Sequence, residues 1–241
     1  MSEIQLDHIA IAAHRLTDAP PILVGVLGGI PFFGQEAAAF RFGQWEFEGD
    51  GRIEVLEPRG ADGFLHRFLA ARGPGIHHAT FKVPSLREAC DRAEALGYAI
   101  VGYHDASPHW KEAFLHPKEA LGIVVQLAQM GGKGPTRGKW RTAPASPPDP
   151  PPPVRVVGLR TRAHSEERAE RQWGTLLRGA ASREGDALVY RWPHSPLRIA
   201  VDVDPGAEEG ALHIEIASDR RLPPLDTRPL GAVFALASVS P

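Results

Sequence analysis

The strongest constraint on this chain is an internal repeat. The strand-like "LDHIAIA" at 6–12 is matched by "IHHATFKV" at 76–83, and "RIEVLEP" at 52–58 is matched by "IVVQLAQ" at 123–129. Glu54 follows His8 by 46 residues and Gln126 follows His78 by 48, so residues 1–130 read as two copies of one module. Two small modules of this kind bury their apolar faces by associating, and a polar side chain placed at one position in the first copy recurs in the second.

Each copy reads as a strand, a helix and further strands. In the second, "SLREACDRAEALG" opens on Ser85 as N-cap with Glu88 three residues on, and closes on Gly97. In the first, "RLTDAPPILVGVLGG" carries Pro20 and Pro21, which a helix tolerates only in its first turn, so the helix is expected to start there. Strands are expected at "AAFRFGQWEFEG" and "RIEVLEP", and at "YAIVGYHD", "WKEAFLHP" and "GIVVQLAQ". Residues 131–153, "GGKGPTRGKWRTAPASPPDPPPP", lack hydrophobic periodicity and predict a linker that is semi-rigid in its proline run. Residues 154–241 read as a degenerate second pair of modules, with Ser165 as an N-cap and a last module lacking its helix. The metal positions there are expected at Arg160, Ala200, His213 and Ala235, a set that holds no metal. A structural role follows for this half, covering sheet edges or standing in for a dimer partner.

Strands alternate their faces, so His8 shares a face with Leu6 and Ala10 while Asp7 and Ile9 point the other way. The repeat aligns His78, not His77, with His8, and Gln126 with Glu54. If the modules pair about a twofold axis, His8, Glu54, His78 and Gln126 converge in one cleft. Two imidazoles, a carboxylate and an amide oxygen suit one divalent ion (zinc, manganese, cobalt, nickel or iron), and the ligand types do not choose among these.

In these pieces, and in "FLHRFLAARGPGIHHATFKV", "LGYAI" and "FLHPKEALGIVVQL", residues 1–130 resemble the vicinal oxygen chelate superfamily, nearest to the methylmalonyl-CoA epimerases. The resemblance implies an α+β fold of paired βαβββ modules forming a cupped mixed sheet, and places the metal ligands on His8, Glu54, His78 and Gln126. It implies isomerase or lyase chemistry of the glyoxalase or epimerase type on a small oxo-acid, thioester or thiol conjugate, through a metal-stabilised enolate. An iron-dependent extradiol-type dioxygenase is the alternative, and a non-catalytic small-molecule-binding protein on the same scaffold is a third. The fourth ligand is usually glutamate in the epimerases and glyoxalases, where it takes part in proton transfer. An amide is no general base, so Glu54, the one carboxylate of the four, is expected to combine ligation with the acid/base role. No second carboxylate aligns among Glu36, Glu46 and Glu48. Gln126→Glu is expected to keep the fold and tighten metal binding.

Charge excludes little but favours nothing macromolecular. With 27 basic and 29 acidic residues and a net charge of -2, there is no electrostatic footprint for nucleic acid or an anionic membrane. No segment reaches the roughly 20 apolar residues of a membrane span, and no signal-like N-terminus is present, so a cytoplasmic monomer or homodimer acting on a small molecule is expected. Cys90, the single cysteine, reads as a small buried residue. His104, His109 and His116 read as loop and turn residues. Lys118, Arg137, Lys139 and Arg141 are placed to meet an anionic substrate tail or simply water.

Overall fold

The computed structural model describes residues 3–132, 140 and 142–237. Arg137, Lys139 and Arg141 lie outside that set, as does part of the expected linker. The first half contains strands β1 (Gln5–Ala12), β2 (Ile30–Glu36), β3 (Phe40–Glu46) and β4 (Arg52–Pro58), then β5 (Gly75–Lys82), β6 (Ile100–His104), β7 (Trp110–Leu115) and β8 (Val124–Met130). These form one eight-stranded sheet in the order β2-β3-β4-β1-β5-β8-β7-β6. β1 runs parallel to β4 and antiparallel to β5, and β5 runs parallel to β8, so each module's first strand is central.

The register carries the twofold symmetry. His8 stands opposite Thr80 and His78 opposite Ala10, while Glu54 pairs with Ala10 and Gln126 with Thr80. Both central strands bulge beside their histidine, and the inserted residues are Asp7 in β1 and His77 in β5. A bulge interrupts strict alternation and re-aims the inserted side chain. Asp7 and His77 therefore reach the histidines that follow them instead of the far face.

The helices are short. α1 (Pro20–Leu23) starts at Pro20, with a 3-10 turn over Leu16–Asp18 before it. α2 (Phe64–Arg72) links the modules and lies against β1 and β4, over a small apolar layer of Ala10, Ala12, Leu56, Leu65 and Leu69. α3 (Leu86–Ala95) is capped by Ser85, whose Oγ accepts from the Glu88 amide at 3.3 Å, a contact worth about 1 kcal/mol. Its buried face is Leu86, Ala89, Cys90 and Ala93. Burial, with Glu94 and Asp91 nearby, pushes the Cys90 thiol up to about 11. Ellman's reagent at pH 8 is accordingly expected to find no thiol in the folded protein and one after denaturation; rapid native labelling would contradict this packing.

The second half contains β9 (Arg155–Ala163), α4 (Glu166–Ala169) continuing as π-helical turns over Glu170–Leu176, β10 (Ala180–Glu184), β11 (Ala187–Arg191), β12 (Arg198–Val203), β13 (Gly210–Ala217) and β14 (Phe234–Leu236). The sheet order β10-β11-β12-β9-β13-β14 reproduces the first sheet without counterparts of β6 and β7, and no helix lies between β13 and β14 among the described residues. The protein is thus α+β, with two open mixed sheets. One hydrophobic cluster draws on both: Phe81 of β5 packs its ring 4.9 Å from Trp192 and 6.0 Å from Trp173. Backbone bonds join Val154 to Leu27 (2.9 Å) and Glu48 to Val154 (3.0 Å). The proline run is docked at this seam: at Gly28, where φ is +73°, a Cβ would lie 2.4 Å from the Pro151 carbonyl oxygen, so only glycine fits.

Candidate metal centre

On the face of the first sheet opposite the shared core, His8, Glu54 and His78 are buried together, and one ligand atom from each lies within 4.8 Å of the others. His8 Nε2 is 3.6 Å from Glu54 Oε2, and His78 Nε2 is 3.9 Å from Glu54 Oε1. These separations are too long for hydrogen bonds. They are close to the edges of a coordination polyhedron, since ligands about 2.1 Å from a tetrahedral ion stand roughly 3.4 Å apart.

Each ring is oriented through its other nitrogen. Asp7 Oδ2 accepts from His8 Nδ1 at 2.8 Å, and His77 Nδ1 lies 2.9 Å from His78 Nδ1. With His78 as donor in that pair, its Nε2 presents a lone pair to the triad. That Nε2 is buried and has no hydrogen-bond partner among the described residues, an omission that ordinarily costs about 1–3 kcal/mol. A divalent ion would satisfy it, so the residues fit a metal. Asp7 is itself held by Arg52 and Lys82, each 2.6 Å away.

The charges agree with this arrangement. Burial opposes protonation of His8, but the Glu54 and Asp7 carboxylates outweigh it and raise the ring to about 9. Burial lowers His77 to about 4, and burial with the neighbouring His77 and His8 holds His78 well below the usual imidazole range. Protonation is thus favoured at His8 and opposed at His77 and His78, and a divalent ion held here would compete with the His8 proton.

Gln126 lies in the same buried group, but with its amide engaged. Thr80 Oγ1 donates to Gln126 Oε1 at 2.6 Å and stands 3.0 Å from His8 Nε2; Gln126 Nε2 donates to Glu112 Oε2 at 2.7 Å. Glu112, on β7, also accepts from Trp110 Nε1 at 2.7 Å. Sequence reasoning missed Glu112. Its signal was available only through pairing, since Phe114 opposite Gln126 puts Glu112 one diagonal step away. Gln44 Nε2 donates to Glu54 Oε2 at 2.8 Å; that oxygen also faces His8, while Oε1 faces His78. Glu36 pairs with Arg59 and Glu48 with Arg155 at the surface, and Glu46 is buried outside the triad. His104, His109, His116 and Lys118 are exposed. Toward α2, the His77 ring packs 4.8 Å from Phe68 and 5.7 Å from Phe64, giving the site an aromatic side.

The second sheet corrects one expected correspondence. There Arg160 pairs with Ala200 and His213 as Ala10 pairs with Glu54 and His78, and the bulge before Gly158 matches the one before His8. The counterpart of His8 is Gly158, not Arg160; the inserted Val157 upsets counting by twos. A Cβ on Gly158 would meet Arg198 Cγ at 2.8 Å. Arg198 lies over that glycine and gives Nε to Glu215 at 2.9 Å, with Arg160 Nη1 3.4 Å from the same carboxylate. An arginine–glutamate cluster thus occupies the second sheet's version of the site.

Known proteins share this architecture. Residues 7–114 match the model of the Glyoxalase/Bleomycin resistance protein/Dioxygenase superfamily. The uncharacterized protein YqjC of Bacillus subtilis (strain 168) is 33% identical over 135 residues, 53% of this chain and 94% of that protein. An ethylmalonyl-CoA/methylmalonyl-CoA epimerase of Cereibacter sphaeroides is 34% identical over 83 residues, 33% of this chain and 62% of the enzyme. A mutant 4-hydroxymandelate synthase from Streptomyces coelicolor superimposes with a TM-score of 0.61 at 14% identity, over 91% of this chain and 72% of that one, a likeness of fold that spans both sheets. With the repeat, the strand order and the near full-length match to YqjC in agreement, the chain belongs to the glyoxalase/bleomycin resistance protein/dioxygenase superfamily.

Proposed function

We propose that the protein is a divalent-metal-dependent isomerase or lyase that moves a proton on a small oxo-acid, acyl thioester or thiol conjugate. The observation that carries this reading is the buried convergence of His8, Glu54 and His78, with His78 Nε2 making no hydrogen bond among the described residues. The relative named as an ethylmalonyl-CoA/methylmalonyl-CoA epimerase supports the substrate class.

His8, Glu54 and His78 would hold the ion, with Asp7 and His77 fixing the two rings. A bound divalent ion would supply Lewis acidity toward a substrate oxygen, favouring loss of a proton from the adjacent carbon. The aromatic side formed by Phe64 and Phe68 would receive the apolar part of a substrate and exclude water there. A second reading, an iron-dependent dioxygenase, is favoured by one feature. Thr80 and Glu112 occupy the Gln126 amide, which leaves two histidines and one carboxylate.

Elemental analysis of protein purified without added metal, set against His8→Ala and His78→Ala variants, is expected to find about one divalent ion in the native protein alone. Metal at background throughout would point to a non-catalytic binding protein. Metal-loaded protein is then expected to exchange solvent deuterium into methylmalonyl-CoA or a related carboxyacyl thioester. Oxygen consumption with catechol and Fe(II), without exchange, would favour the dioxygenase.

A further inference from the structure

We propose that Glu112 is the proton-transferring carboxylate of this site and that Gln126 positions it. The inference rests on the metal-dependent proton-transfer reading above and supplies the base that reading lacks. Glu54 has both oxygens directed at the ligand histidines, Oε2 to His8 and Oε1 to His78, and Oε2 also accepts from Gln44. As the carboxylate ligand it is poorly placed to carry a proton as well. Gln126 is an amide and has no proton-accepting role.

Glu112 has neither handicap. It is half-buried on the same face of the sheet, and its two side-chain hydrogen bonds among the described residues end on Oε2: Gln126 Nε2 at 2.7 Å and Trp110 Nε1 at 2.7 Å. Oε1 is the oxygen left for a substrate proton. The two donors fix the carboxylate plane without neutralising it, since neither is charged. The orientation of Gln126 is forced by its neighbours. An ionised carboxylate only accepts, so the amide nitrogen must face Glu112, which turns the amide oxygen to the Thr80 hydroxyl. Side chains from five adjacent strands thereby join in one polar row, from Glu54 through His8, Thr80 and Gln126 to Glu112. The row fixes the carboxylate on β7, two strands from His78 and one hydrogen bond from Gln126.

In the step this assigns, Glu112 Oε1 forms a bond to the proton on the carbon next to the substrate carbonyl as that C–H bond breaks. The C–H electron pair becomes the new carbon–carbon π bond, and the carbonyl π pair moves onto oxygen. Returning the proton, to the same carbon or its neighbour, reverses the electron flow and restores the carboxylate, so no oxidant or further reactant is needed.

The arrangement also changes what a carboxylate at position 126 would do. Gln126→Glu alone would set two carboxylates about 2.7 Å apart, where like charges force them to share a proton. Paired with Glu112→Gln, the same substitution exchanges acid and amide across one hydrogen bond.

The test uses the full-length protein loaded with a divalent ion. Glu112→Gln is expected to keep metal affinity within threefold and to lower deuterium exchange into the acyl thioester by about 10²-fold or more. The Glu112→Gln/Gln126→Glu double variant is expected to recover exchange to within tenfold of the native protein, which a merely structural role for Glu112 does not predict. Carbodiimide labelling read by mass spectrometry is expected to modify Glu112 in the free protein and to be blocked by saturating methylmalonyl-CoA. Native exchange rates in metal-loaded Glu112→Gln, or labelling of Glu112 undiminished by the thioester, would overturn the assignment and leave the proposed function standing. No exchange by the metal-loaded native protein would instead remove the function and this role with it.

Discussion

Replacing His78 with alanine is expected to abolish divalent-metal binding while destabilising the metal-free fold by only about 1–3 kcal/mol. The loss should exceed the roughly 10- to 100-fold that follows removal of a residue that merely supports a ligand, because His78 supplies one of three converging donors. Stability responds differently. The substitution removes a buried Nε2 that has no hydrogen-bond partner among the described residues, which offsets part of the cost of the lost packing and of the lost Nδ1 contact with His77. Calorimetric titration with zinc, manganese and cobalt, beside thermal unfolding in chelator, separates the two quantities. Gln126→Ala provides the contrast: its amide is already engaged by Thr80 and Glu112, so affinity should fall by less than tenfold. Native-like titration of His78→Ala would show that the triad is not where metal binds.

The second large effect is expected from Phe81→Ala, on the opposite face of the same strand. Phe81 is fully buried between the two sheets, against Trp173 and Trp192. Truncating a buried phenylalanine costs about 3–5 kcal/mol, and two neighbouring indoles are too large to collapse into the space. In a chain of this size that corresponds to a fall of roughly 10 °C in melting temperature. The shape of the transition carries further information. Because the cluster draws on both sheets, one cooperative transition is expected in native and variant protein alike, followed by tryptophan fluorescence and far-ultraviolet circular dichroism. Two separated transitions would show that the halves fold independently and that Phe81 stabilises only its own sheet.

Much of this architecture is legible in the sequence because repetition is. The two His-to-Glu/Gln spacings locate β1, β4, β5 and β8, and the twofold register places His8, Glu54, His78 and Gln126 in one buried group. What escapes a reading by alternation is every position where a strand departs from it. Asp7 and His77 look as though they point away from the site, yet as bulge residues they support its two histidines. Val157 does the same to the count in the second sheet, so that Arg160 takes a place belonging to Gly158. Glu112 escapes for another reason: it reaches Gln126 across a strand pair, and no spacing along the chain encodes which residue of β7 lies diagonal to which residue of β8.

The arginine lying over Gly158 gives the two halves different dependence on their surroundings. The first sheet, on the proposed reading, borrows its central positive charge from solution, so its charge balance would follow the supply of metal. The second carries its own, a guanidinium bonded to the buried Glu215 and tethered by the backbone. Chelators, metal starvation or replacement of one ion by another would therefore act on one half of the molecule and leave the other electrostatically unchanged. On that reading the second sheet, packed against the shared core, would be a scaffold whose charge does not follow the supply of metal.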